Sequence, residues 1–231
     1  MASSVIAIDG PAASGKSSVA TRVAAALGAV YVSTGEMYRA VAWAALRDGL
    51  DPANAARPEL DALLGHLSLD YQFDASGAAV LMVDGREAGD ELRTQAVADA
   101  ASVLARQPAV REWLLGKQRR MADRGWLVME GRDIGTVVFP DAAHKFFLTA
   151  SPEVRALRRL RQDGGTPSAE AVAQVAKEIA ERDGRDARRE LAPLVQAKDA
   201  ILVDSGGMTL EQVVAHVVNL IRGGTHGQAQ H

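Results

Sequence analysis

The chain has 231 residues, 48% of them hydrophobic and 24% charged, enough for one α/β core with a small inserted subdomain. A formal net charge of -3 and only 4% aromatic residues argue against a chain that holds nucleic acid by bulk electrostatics and base stacking. With no cysteine, disulfides, thiolate metal sites and a cysteine nucleophile are excluded.

The N-terminal stretch MASSVIAIDG has no basic n-region, and nowhere do about 18 apolar residues run uninterrupted. A cytoplasmic, non-membrane protein is therefore expected. Arginine outnumbers lysine 21 to 5. A codon bias would explain the total, so the positions carry more meaning than the number.

The first expected element is a strand at residues 5–8, Val-Ile-Ala-Ile, short, β-branched and not alternating, as in a strand buried on both faces of a parallel sheet. Comparable apolar runs follow at 30–32, 126–129, 145–148 and 200–203. Helical patterns such as 17–27 and 151–161 lie between them. Such alternation predicts a parallel sheet with right-handed crossovers and helices on both faces.

Between residues 68 and 87 the texture changes to two alternating or apolar runs around a turn at Ser76 and Gly77, which predicts a small antiparallel insert. Amphipathic helices are expected at 91–106 and 109–124, Pro108 fitting the first turn of the second. From Gly223 onward, GGTHGQAQH has no apolar face to bury and reads as a disordered tail.

Gly10, Gly15, Lys16 and Ser17 satisfy G-x-x-x-x-G-K-[ST] directly after the first expected strand and directly before a helix, the context this phosphate-binding loop requires. Its glycines let the backbone curl so that successive N–H groups and a helix N-terminus face one phosphate chain. Lys16 is expected at the β- and γ-phosphates, and the Ser17 hydroxyl on Mg²⁺. A nucleoside triphosphate is the expected donor.

A phosphate-binding loop alone does not separate a kinase from a GTPase or a motor, so the acceptor must be sought elsewhere. STGEMYRA at 33–40 follows the second expected strand, placing Thr34, Tyr38 and Arg39 near its carboxyl end, where α/β sheets bind ligands. EGRDIGTVVFPDA at 130–142 sets Arg132 and Asp133 at the end of the third. KEIAERDGRDARRELAP at 177–193 surrounds Asp183 and Asp186 with Arg182, Arg185, Arg188 and Arg189, of which helical spacing groups Arg182, Arg185 and Arg189. Guanidinium forks suit bidentate recognition of phosphate, and a closing lid would also exclude water. A salt bridge capping the strand end at Arg132 and Asp133, and a solvated, ion-paired helix face at 177–193, are the structural alternatives.

Taken together, GPAASGKSS, TGEMYRA, ELRTQAV, EGRDIGTVVFPDA and ERDGRDARRELAPL, in this order and spacing, resemble the bacterial cytidylate kinases over residues 5–221. The resemblance implies a nucleoside monophosphate kinase fold: a five-stranded parallel P-loop core, an enlarged monophosphate-binding region that would hold the antiparallel insert, and a helical lid. It divides the chain into core with P-loop and start of the acceptor site (1–60), monophosphate-binding region (61–110), core (111–153), lid and acceptor-binding helices (154–190), core (191–222) and tail (223–231).

It further implies that ATP, with Mg²⁺, sits on Gly10, Pro11, Ala12, Ala13, Ser14, Gly15, Lys16, Ser17 and Ser18, and that CMP or dCMP is converted to the diphosphate. By position in the matching motifs, Arg39, Arg132 and Arg189 resemble the family's contacts to the acceptor phosphate, Arg182 and Asp186 its ribose contact, and Thr34 its Ser/Thr position, with Tyr38 beside them. Ser102, Arg111 and Asp133 resemble the residues that select cytosine. Arg158 and Arg159 resemble lid residues that approach the transferring phosphoryl group; with Lys16, Arg132 and Arg189 they form the expected catalytic set. Ser33 stands where the family commonly has Asp, and Glu36 where it commonly has Ala. Small-molecule nucleotides are the expected partners of a monomer. The rival readings are a UMP, AMP or shikimate kinase of the same fold and a non-catalytic ATP-binding module.

Overall fold

The computed structural model describes residues 4–74, 78–162 and 164–225. Its first strand, β1 (Val5–Asp9), is buried at every position, as its unbroken apolar run predicts. The chain continues through α1 (Lys16–Leu27), β2 (Val30–Ser33), α2 (Thr34–Arg47), α3 (Arg57–His66), β3 (Leu69–Phe73), β4 (Ala79–Val83), β5 (Arg86–Glu87), α4 (Gln95–Leu104) and α5 (Pro108–Arg120). It ends with β6 (Leu127–Gly131), β7 (His144–Thr149), α6 (Pro152–Gln162), α7 (Ala169–Ala187), β8 (Ile201–Asp204) and α8 (Leu210–Thr225).

The parallel sheet has the strand order β2-β6-β1-β7-β8. β1 is hydrogen-bonded on both sides, with Asp9 opposite Gly131 of β6 and opposite Phe147 of β7. The expected five-stranded parallel core is therefore present, and a second sheet is the expected antiparallel insert, ordered β3-β4-β5. The turn read at Ser76 and Gly77 lies outside the described residues. The two-residue strand β5 was not foreseen; it is too short to show a period.

Two compact units emerge, one of Met1–Ala29 with Gly125–His231, the other of Val30–Arg124. In the first, α1 packs on β6 and α8, and α6 packs on α7. Ala156, Ala176 and Ile179 form a small buried cluster there, against which Ala13 of the phosphate-binding loop rests. In the second, α2 packs on α4, and α3 on α5.

Three boundaries moved by three residues or more. The helix expected at 91–106 starts only at Gln95, because Thr94 caps it, its hydroxyl accepting from the Val97 N–H at 3.3 Å, and a 3₁₀ turn (Asp90–Arg93) precedes it. The helix expected to 124 ends at Arg120 and tightens into a 3₁₀ turn at Met121–Arg124. α8 continues through Thr225, so Gly223 to Thr225, read as tail, belong to a helix, and residues 226–231 lie outside the described residues. Among the described residues no helix is long and apolar enough to cross a membrane.

Candidate active site

The loop between β1 and α1 is shaped by close approach to β7. Gly10 has φ +151°, and a Cβ there would stand 2.1 Å from the Leu148 carbonyl oxygen, so only glycine fits. Gly15, with φ +88°, caps α1 and turns its first N–H groups toward the loop. Lys16 is the first helical residue and is 5% exposed. Its Nζ donates to the Pro11 carbonyl at 2.6 Å and to the Ser14 hydroxyl at 3.4 Å. Burial above all, and then the charge of Arg132, lowers its pKa to about 7.

The Ser17 hydroxyl donates to the Glu130 carboxylate at 3.2 Å. Glu130 is 5% exposed on β6. No group of three or more metal-ligating side chains occurs among the described residues. A hydroxyl with one carboxylate behind it suits a hard cation held mostly by phosphate oxygens and water.

The helices α6 and α7 grip the loop from outside. Arg155 donates to the carbonyls of Ala150 and Ala12, both at 3.0 Å, and to Asp183 at 2.5 Å. Asp183 in turn accepts from the Ala12 N–H at 3.3 Å. Arg158 reaches the Ser14 carbonyl at 3.3 Å and holds Ser205, just beyond β8, with both terminal nitrogens. Ser14, Arg158 and Ser205, with Gly15, Val19 and Met208, line a cleft of about 270 Å³.

At the end of β6, Arg132 donates through Nε to Asp186 at 3.3 Å, and Arg189 donates to the other Asp186 oxygen at 2.5 Å. Asp186 is 2% exposed, so one buried carboxylate holds two guanidiniums. Asp133 is 5% exposed and caps a π-helical turn (Ile134–Val138). Arg182 lies on α7, half-buried, one turn before Asp186. The predicted grouping of Arg182, Arg185 and Arg189 on one helical face is corrected: α7 ends at Ala187, Arg185 is exposed, and Arg189 enters the cluster from beyond the helix.

In the second unit, Thr34 opens α2 and is 3% exposed, while Tyr38 and Arg39 follow one turn later, half-buried. Ser102 on α4 is half-buried. Arg111, half-buried on α5, donates to the Ala105 carbonyl at 3.3 Å. The structure thus brings Arg132, Asp186 and Arg189 together, and gathers Thr34, Tyr38 and Arg39 on the first turns of one helix. Arg159 is exposed, unlike its neighbour Arg158.

Sequence reasoning gave no role to Asp9, Glu130, Arg155, Asp183 or Ser205. Asp9 and Glu130 carried a signal, each being a charged residue at the end of an apolar strand run. The pairing of Arg155 with Asp183 spans 28 residues and left none.

A family model described as cytidylate kinase matches residues 6–223. A cytidylate kinase of Pelotomaculum thermopropionicum (strain DSM 13744 / JCM 10971 / SI) is 47% identical over 219 residues, 95% of this chain and 96% of that one. A bifunctional pantoate ligase/cytidylate kinase of Synechococcus sp. (strain WH7803) is 43% identical over 221 residues, 95% of this chain but 45% of that longer one. The crystal structure of an uncharacterized protein from Eubacterium ventriosum ATCC 27560 shares the fold with a TM-score of 0.52 at 12% identity, covering 94% of this chain and 98% of that one. On the model match and the near full-length identity, the chain belongs to the cytidylate kinase family.

Proposed function

We propose that the protein transfers the γ-phosphoryl group of ATP to CMP or dCMP, giving ADP and CDP or dCDP. The observation that carries the reading is the seat of Arg132. It follows β6 two residues after Glu130, the partner of Ser17, and shares Asp186 with Arg189, so two guanidiniums stand in the same unit as the phosphate cradle.

In this reading Lys16, the loop amides and the N-terminus of α1 hold the donor phosphates. Arg39, Arg132 and Arg189 hold the acceptor phosphate and offset its charge, so that its oxygen can approach the γ-phosphorus in line. The new P–O bond forms as the bond to the β-phosphate oxygen breaks, without a covalent enzyme intermediate. Mg²⁺, held by phosphate oxygens with Ser17 and oriented by Glu130, would neutralise charge on the transferring group. Ser102, Arg111 and Asp133 select cytosine, and Thr34, Tyr38, Arg182 and Asp186 complete the nucleotide contacts. The reading includes a cytoplasmic monomer that acts on free nucleotides.

An assay of ADP release across CMP, dCMP, UMP and AMP tests it. Turnover with CMP and dCMP well above UMP and AMP is expected. ATP binding without ADP release for any of the four would overturn the reading in favour of a non-catalytic nucleotide-binding module.

A further inference from the structure

Asp9 closes β1 one residue before Gly10, 5% exposed in a strand that is buried throughout. Both of its oxygens are committed. Oδ1 accepts from the Ile134 N–H at 2.8 Å and Oδ2 from the Gly135 N–H at 2.7 Å. These are the first two residues of the π-helical turn, directly after Arg132 and Asp133. In the ladder Asp9 is also the partner of Gly131, the residue before Arg132.

The seat is tight. A Cβ at Gly135 would lie 3.4 Å from Asp9 Oδ2 and 3.1 Å from Lys145 Cδ. The Asp133 carbonyl completes the turn by accepting from the N–H groups of Val137 and Val138 at 2.9 and 3.2 Å. Arg132 and Asp133 are therefore bracketed between a ladder partner and a carboxylate on the same residue. Charge-assisted bonds of this kind are about twice as strong as neutral ones.

We propose that Asp9 is a positioning residue for the acceptor: by seating the Ile134 and Gly135 amides it aims Arg132 and Asp133, so the strand that launches the donor loop also sets the acceptor contacts. The inference rests on the reading of Arg132 and Asp133 as acceptor-binding residues. The donor loop has separate supports in Arg155 and Asp183, which bond the carbonyl and the N–H of Ala12.

Lys16 and Asp133 are the charged groups whose fields reach Asp9, and the Lys145 stem lies against the same turn. Burial raises the Asp9 pKa to about 6, against the lowering effect of the two amides. Below that pH the protonated acid loses one acceptor, which is the state Asp9→Asn imitates at every pH.

The test is steady-state kinetics of Asp9→Asn and Gly135→Ala between about pH 5.5 and about pH 8.5, with CMP and ATP varied in turn. At the alkaline end Asp9→Asn is expected to lower kcat/KM for CMP roughly tenfold while the KM for ATP stays within about twofold. The ratio of wild type to variant, in which ionisation of the CMP phosphate cancels, should shrink toward one below about pH 6. Gly135→Ala leaves the Asp9 charge beside Lys16 intact and should weaken CMP use in the same direction, which keeps the test open if Asp9→Asn does not fold. Equal losses for both substrates, a loss confined to ATP or a ratio independent of pH would overturn the proposal. Amide exchange at Ile134 and Gly135, expected to quicken about tenfold in Asp9→Asn, reads the seat without turnover. It thereby separates failure of this inference, shown by unchanged protection, from failure of the kinase reading.

Discussion

Arg158 holds Ser205 with two hydrogen bonds, Nη1 to the hydroxyl at 2.9 Å and Nη2 to the carbonyl at 2.6 Å. The Ser205 hydroxyl lies 3.0 Å from the Thr149 carbonyl, so the pair ties α6 to the ends of β7 and β8 beside the phosphate-binding loop. The family resemblance implies that Arg158 and Arg159 both approach the transferring phosphoryl group, a role that would show in kcat rather than in KM. The geometry divides them: Arg158 lines the cleft beside Gly15, while Arg159 is exposed. Arg158→Ala is therefore expected to raise the KM for ATP by about tenfold and leave kcat within about threefold. Steady-state kinetics with ATP varied at saturating CMP checks it, and a fall in kcat at constant KM would restore the earlier expectation.

Lys16 links the cradle to pH. Its pKa is held down near about 7 by burial, well below that of a lysine in the unfolded chain. Between those two values the unfolded chain binds a proton that the folded protein does not, so stability without nucleotide should rise as pH climbs from about 7 toward about 10. Donor phosphates restore the charge. At about pH 8.5, where ATP is fully ionised, binding should take up close to one proton, and Lys16→Met should abolish this uptake. Calorimetry in two buffers of different ionisation enthalpy measures it.

Gly10 is the position least able to change. An alanine methyl would meet backbone oxygen, which cannot swing aside as a side chain can. Gly10→Ala should cost on the order of 3 kcal/mol, lowering Tm by roughly 6 to 12 °C, with ATP binding lost in whatever folds. A thermal melt within about 2 °C of wild type would show that the approach to β7 relaxes more easily than the geometry allows.

Asp133 carries the choice of base in the proposed reading. A buried carboxylate can accept from the exocyclic amine of cytosine, whereas the uracil carbonyl would face it unpaired. Asp133→Ala should reduce the CMP to UMP ratio of kcat/KM by about tenfold or more. A ratio equal to that of wild type would move base selection to other residues.

The donor half was legible because its signal is local. The G-x-x-x-x-G-K-[ST] spacing, an apolar run before it and a helical pattern after it lie within 30 residues, and each follows from backbone sterics and hydrophobic period alone. The same holds for the five strands and for the antiparallel insert, where composition and alternation sufficed. Helix ends were less legible at Thr94 and Ala187, because a cap or a terminus depends on which backbone groups find partners.

The sequence by itself thus determined the parallel core, the phosphate cradle and the motif positions of Arg132 and Asp133. Only the tertiary structure decided what holds them. Asp9 meets Ile134 and Gly135 across 125 and 126 residues, Ser17 meets Glu130 across 113, and Arg132 meets Asp186 across 54. No periodicity encodes such pairs. They exist because parallel strands bring the carboxyl ends of distant segments to one edge of the sheet, where buried charge must find a partner or be neutralised.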